Sequence, residues 1–435
     1  MHPLILLLLS TAPATLHEHA FRLEREAEAV AVVSAACEGC DWGAKGREAA
    51  VLALSVDGAY SQHVVLSRGA SADYRVLLGP LGAGEHRLSL VLDRRRSAPG
   101  IGAVRIESVS VESVPAGDSD HEALAHAPII HTRKRSLDRF SDLPLVAWVE
   151  AFPAANGGRE LHYSIVFSHE DGGTPIDRLM ATWGRATDIE LVYAVELDAA
   201  GRVRRAEYQG KDHVMTAFEG RREGSHPVLY VVTRNNMLSD LGPQAPRVAL
   251  APQPLALDSV SREAVMDAHP WTYRVSGQEV RREGLVRDDA CPGSKRIPDP
   301  RRFAYLETCG TIADVQLAFE VGLGATEGER AWYTSDAGRP AFRVERSGCF
   351  RAAVALPAGA SVSDVRALRL RAHTRPARRG EPRLPPGSGS ARIDRVNRLF
   401  GLGPDDGPGL SVFSWTGASE LAPDGPPLEI PLPSQ

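Results

Sequence analysis

The sequence predicts a mainly β protein: an N-terminal β-sandwich of the jelly-roll or immunoglobulin-like kind, then a larger β-sandwich domain with a few short helices. Three observations carry that expectation. Apolar and polar residues alternate in short runs between Ala29 and Val114. Turn signals such as Asp57-Gly58, Gly79-Pro80 and Gly82-Ala83-Gly84 separate those runs. Further alternating runs recur from His162 to Leu356. Alternation puts every second side chain on a buried face, and short strands joined by tight turns build sandwiches.

Composition sets the outer bounds. A chain of 435 residues exceeds one ordinary core and implies about two to three domains. Its 43% apolar and 24% charged residues are those of a globular protein. A net charge of −5 leaves no concentrated basic face, so nucleic acid is not an expected partner. The lysines are Lys45, Lys134, Lys211 and Lys295 alone; arginine supplies the remaining positive charge, as a GC-rich, bacterial coding bias does.

The elements follow in order. Residues 1–14 read as a signal peptide: Leu4 to Leu9 is a short apolar run and Ala12-Pro13-Ala14 a small-x-small cleavage site. The run is too short to span a bilayer, no later segment resembles a span, and the expected location is secreted or periplasmic. The five cysteines fit export. Cys37 and Cys40 read as a small disulfide-closed loop, and Cys309 as the partner of Cys291 or Cys349.

Residues 15–115 form the accessory sandwich, with apolar pairs at Leu52/Leu54, Val76/Leu78, Leu88/Leu90, Val104/Ile106 and Val109/Val111. Residues 116–126 are a polar linker, and 127–375 the main β-rich domain. Residues 376–435 are a Pro/Gly-rich tail whose Ile393, Val396 and Phe400 predict one short helix capped by Ser390. Val260–Ala268 predicts another, stopped by His269-Pro270.

The centre of the main domain is Thr174 to Asn236. Thr174-Pro175 starts a helix, Ile176, Leu179, Met180 and Trp183 form its core stripe, and Gly184 stops it. Ile189, Leu191, Tyr193, Val195 and Leu197 alternate as the buried face of a strand, Asp198–Gly201 turns, and the strand returns to Gln209. Opposing Leu197 to Arg202 places Glu190 opposite Gln209, Asp188 opposite Lys211 and Ala186 opposite His213. Glu207 then falls diagonally beside Glu190. Carboxylates crowded on one face repel unless a cation offsets them. Three readings follow. Asp188, Glu190 and His213 hold Ca²⁺ or Mg²⁺, with Gln209 and Lys211 as binding residues. Glu190 and Glu207 act as a glycosidase carboxylate pair, which requires about 5 to 9 Å between them. The third is a solvated, ion-paired face with no ligand.

Gly184-Arg185-Ala186-Thr187-Asp188-Ile189-Glu190 resembles the Gly-His-Arg-His-Asp-Trp-Glu heptapeptide of the necrosis- and ethylene-inducing-like secreted proteins. The vacuolar-sorting-associated family is similar too, through His226-Pro227-Val228-Leu229-Tyr230, Ala127-Pro128-Ile129-Ile130 and Ser141-Asp142-Leu143-Pro144-Leu145. The likeness covers residues 127–236. It implies a β-sandwich holding a divalent ion at Asp188 and Glu190. Arg185 and Thr187 stand in place of both motif histidines, and Ile189 in place of the tryptophan. The functional expectation is an exported protein that binds a carbohydrate, another cell-surface ligand or a lipid headgroup. A secreted polysaccharide hydrolase and a structural envelope protein are the alternatives.

Overall fold

The computed structural model describes residues 15–432 except 156, 245 and 325; the expected signal peptide lies outside the described residues. The protein is mainly β, with 46% strand and 12% helix. Among the described residues no helix is long and apolar enough to cross a membrane.

Seven strands make the first sandwich: β1 (Thr15–Leu23), β2 (Ala27–Cys37), β3 (Ala50–Val56), β4 (Ala59–Leu66), β5 (Ala72–Leu81), β6 (Gly84–Leu92) and β7 (Val104–Pro115). Their sheets run β1-β6-β3-β4 and β5-β2-β7. Ala29, Ala31, Val33, Leu52, Leu54, Leu88 and Leu90 fill the space between them. The pairs Val104/Ile106 and Val109/Val111 lie on one strand. The β2–β7 register skips Glu107, so the inward parity changes from even to odd along β7.

Helix α1 (His121–Ala125) lies inside the expected linker and buries Leu124. Then come β8 (Ile129–His131), α2 (Lys134–Arg139), β9 (Pro144–Pro153), β10 (Arg159–Phe167), α3 (Ile176–Trp183), β11 (Asp188–Leu197) and β12 (Val203–Gln209). Strands β12-β11-β10-β9 are the middle of a six-stranded sheet, and β8 pairs in parallel with His226–Val231 in a second sheet. Leu161, Tyr163, Ile165, Tyr193, Val195, Val228 and Leu229 form the shared core.

The strands from Phe303 onward close a further pair of sheets around a separate core that includes Leu317, Phe319, Phe350, Leu368, Ile393 and Leu399. Here the tail expectation is corrected. Ser390–Phe400 is not a helix but a strand in the middle of its sheet, paired with Phe303–Ala313. The pairing skips Asn397 and Asp394, and these bulges stretch a period of two into the spacing of three that mimics a helix. The expected Val260–Ala268 helix is shorter, Ala264–Ala268, and a second helix, Trp271–Arg282, begins immediately after Pro270. Disulfides join Cys37 to Cys40 and Cys309 to Cys349, and Cys291 is free and exposed.

Candidate functional site

Helix α3 delivers one wall of the site. Ile176 and Met180 pack into a core with Phe303, Tyr305 and Phe400, and Gly184 ends the helix in the left-handed region at φ 57°. Trp183 departs from the expected core stripe. It is half-buried, lines the cavity, and has the guanidinium of Arg346 5.3 Å from its ring centre.

Strand β11 delivers the second wall. Tyr163 opposes Tyr193 and Ser164 opposes Leu191, which leaves Val192 as a bulge residue. The bulge reverses the alternation. Tyr193, Val195 and Leu197 enter the core of Tyr163 and Ile165, while Ile189 enters a different one with Trp148 and Val166. The expected single inward face is therefore two faces, both covered.

The β11–β12 ladder is displaced two residues from the expected register: Tyr193 opposes Tyr208, Ala194 opposes Glu207 and Glu196 opposes Arg205. An even displacement preserves which face each residue takes but moves every neighbour. Directly opposed residues share a face, so Glu190, opposite Ile165, projects from the face that carries Tyr193. Glu207, opposite Ala194, projects from the other. The Glu190/Glu207 carboxylate pair is not formed; Glu207 lies 3.4 Å from Arg205 instead. Lys211 is exposed and does not line the cavity.

Gln209 and His213 do meet Glu190. Asp212 and His213 occupy consecutive left-handed conformations, φ 60° and 61°, a turn that folds His213 back toward β11. Gln209 Nε2 donates to Glu190 Oε2 at 2.5 Å and lies 2.8 Å from His213 Nδ1, which is 3.7 Å from the same carboxylate. The Glu190 carboxylate holds the His213 imidazole above its ordinary pKa. Asp188 lines the same cavity but has other partners. Its Oδ2 accepts from Asn236 Nδ2 at 3.0 Å, and Arg185 lies 3.6 Å from Oδ1. Burial, then the charge of Glu190, raises the Asp188 carboxyl well above the carboxylate range. The Asp188–Glu190–His213 ion site is thus not assembled: among the described residues no group of three or more His, Cys, Asp or Glu is disposed to hold a metal.

The cavity that these residues line measures about 480 Å³. It contains side chains that sequence reasoning missed. Glu170 is buried, and its Oε1 accepts from Thr174 N at 2.5 Å. A Cβ at Gly173 would sit 2.2 Å from that oxygen, and Gly173 has φ 127°, so glycine is required there. Arg262 and Arg346, more than 60 residues downstream of β11, face the same space. Arg262 donates to Ser164 Oγ at 3.1 Å, and neither guanidinium has a carboxylate within 4.0 Å among the described residues. Arg185 is committed instead: it pairs with Glu263 at 3.1 Å. Burial alone would raise Glu263, but Arg185 and Arg346 outweigh it and hold the carboxyl low.

Burial raises Glu170 to about 7, against the Thr174 N–H and Arg185. A carboxyl with a raised pKa stabilises the fold while protonated. That contribution is complete below about pH 4.5 and is lost as pH rises through about 7. Glu170→Gln keeps a neutral side chain and is expected to flatten this part of the urea-midpoint profile, leaving the slope that belongs to Asp188. A profile as steep as that of the unsubstituted protein overturns the assignment.

No family model matches the chain, and no curated protein matches it.

Proposed function

We propose that this protein is an exported, glycan-binding protein whose cavity between α3, β11 and the C-terminal sheets takes an acidic sugar. One observation carries the reading: Arg262 and Arg346 line the cavity without carboxylate partners, opposite the hydrogen-bonded Glu190, Gln209 and His213. A guanidinium without a directly paired carboxylate in a half-enclosed site is matched by a carboxylate or sulfate, and clustered acceptors suit hydroxyl groups. The half-buried Trp183 offers a flat wall. Two disulfides and the signal-like start support an oxidising compartment.

The binding is read as independent of Ca²⁺ or Mg²⁺. Where the resembled secreted family has a motif histidine, this chain has Arg185, a fixed cation beside Asp188. Isothermal titration with oligogalacturonate in EDTA is expected to show binding, neutral dextran oligomers are expected to show none, and Arg346→Met is expected to weaken the interaction at least about tenfold. Equal heats for acidic and neutral oligomers, or none for either, would remove the proposal and leave the structural envelope reading.

A second reading, hydrolysis of the bound glycan, is favoured by Glu170 alone. A carboxyl protonated near neutrality is the state in which a general acid works, and Glu190 lines the same cavity. Release of reducing ends that survives Glu207→Gln and disappears in Glu170→Gln is the result this reading requires.

A further inference from the structure

A second cavity, of about 270 Å³, lies where the first sandwich meets β9 and the start of the Trp271–Arg282 helix. Leu143, Leu145, Val146 and Leu250 make it apolar on one side. On the other stands Arg68. Its guanidinium is held 4.5 Å from the ring centre of Tyr74 and 4.5 Å from that of Trp271. The Nη2 group donates to the Asp73 carbonyl, but Nε is sealed from solvent with no acceptor among the described residues.

The other charged groups at this cavity are accounted for. Arg75 pairs with Glu112 at 2.6 Å. His63 lies 3.4 Å from Asp93 and shares a hydrogen bond with Tyr60 at 2.6 Å. Asp73 is exposed. His269 Nε2 faces Gln253 Oε1 at 3.3 Å, and burial, then the nearby Arg68 charge, lowers its pKa and keeps it neutral. Arg68 therefore remains the one cation in this lining without a carboxylate within 4.0 Å among the described residues.

Its position is built, not incidental. Arg68 N donates to Tyr74 Oη at 3.2 Å, and Cys37 N donates to the Gly69 carbonyl at 3.1 Å. A Cβ on Gly69 would lie 2.5 Å from the Cys40 carbonyl oxygen, so the loop rests directly on the Cys37–Cys40 turn. A stacked, preorganised guanidinium with a buried donor left over, beside an apolar wall, loses solvation that an anion restores most strongly. Apolar walls with a few convergent polar groups are the ordinary make-up of small-molecule sites.

We propose that this cavity binds an amphiphilic organic anion, a medium-chain or aromatic carboxylate whose head pairs with Arg68 and whose body lies against Leu143, Leu145 and Leu250. The site is separate from the glycan cavity and does not depend on that reading. Because its walls come from five separate stretches of chain, occupancy stabilises the fold in proportion to ln(1 + [L]/Kd) and raises the unfolding temperature.

The test uses octanoate and its neutral counterpart octanol with the full chain. Octanoate is expected to bind with one-to-one stoichiometry and raise the melting midpoint, and octanol to do so at least about tenfold more weakly. Arg68→Gln is expected to weaken octanoate by a similar factor and leave octanol unchanged. Leu250→Trp, a filling change at a half-exposed wall position, is expected to abolish both, and Arg346→Met to affect neither. Circular dichroism without ligand checks that each variant folds; should Leu250→Trp not fold, the half-exposed Arg68→Gln still decides. Octanol binding as tightly as octanoate, or octanoate binding undiminished in Arg68→Gln, overturns the proposal.

Discussion

Replacing Arg351 by Met is expected to lower the stability of the protein by about 3–5 kcal/mol, the cost of leaving a buried charge without its partner. Arg351 is fully buried. Its Nε lies 2.8 Å from Glu307 Oε2, Nη1 donates to Tyr273 Oη at 2.7 Å, and Nη2 pairs with Asp267. The losses are unequal. Asp267 keeps Arg398 at 2.7 Å. Glu307, itself buried, keeps only neutral donors, Ser261 Oγ at 2.7 Å and Asn397 Nδ2 at 2.9 Å. The unpaired Glu307 carboxylate thus dominates, and Arg351→Met/Glu307→Gln is expected to recover much of the loss. Urea unfolding of the two variants beside the unsubstituted protein checks this. A single-variant loss below about 1 kcal/mol, the size of an ordinary surface pair, would show that water reaches Glu307.

Opening the Cys309–Cys349 disulfide is expected to cost about 4 kcal/mol, from the chain entropy released when a loop of this length is freed in the unfolded state. The two cysteines lie 40 residues apart in sequence and directly opposite each other on neighbouring strands. The Cys37–Cys40 bond has a separation of only 3 and constrains far less of the unfolded chain. Guanidinium midpoints of Cys309→Ala/Cys349→Ala and Cys37→Ala/Cys40→Ala should therefore differ strongly, with the first pair much lower. Equal shifts would place the stabilisation in the folded state instead. Both large effects fall in the C-terminal sheets next to the loop of Arg346, so both variants should also loosen the cavity that Arg346 and Glu190 line.

Much of the local structure was legible in the residues. Helix α3, its glycine stop and the turn at Asp198–Gly201 are dictated within a few positions, by a 3.6-residue stripe, by Gly184 and by Gly201 at φ 73°; the expected Thr174 cap is not made, since Pro175 takes the N-cap position with no side-chain bond. The strand Ser390–Phe400 was misread because two bulges disguised its period. The ladder register was misplaced by two residues because both shifts of that parity bury the same side chains. Only packing against β10, with Val192 bulged out, selects between them. Of the candidate site, Glu190, Gln209 and His213 were found together from the hairpin alone. Glu170 lay in a loop whose direction no periodicity reports, and Arg262 and Arg346 are remote in sequence.

The sequence by itself determined the β character, the turns, α3, the cysteine pairing near Trp42, and a polar cluster at one end of the central hairpin. These depend on interactions among residues close along the chain, where spacing is geometry. Tertiary structure alone decided that Asp188 answers to Asn236 and Arg185, that Glu207 turns away, and that two distant arginines line the same cavity as Glu190. It also decided that Arg68 stands stacked at a separate cavity with one apolar wall. Charge is satisfied or left over only after distant segments have been brought within a few ångströms, and alternation along a strand carries no record of which segments those are.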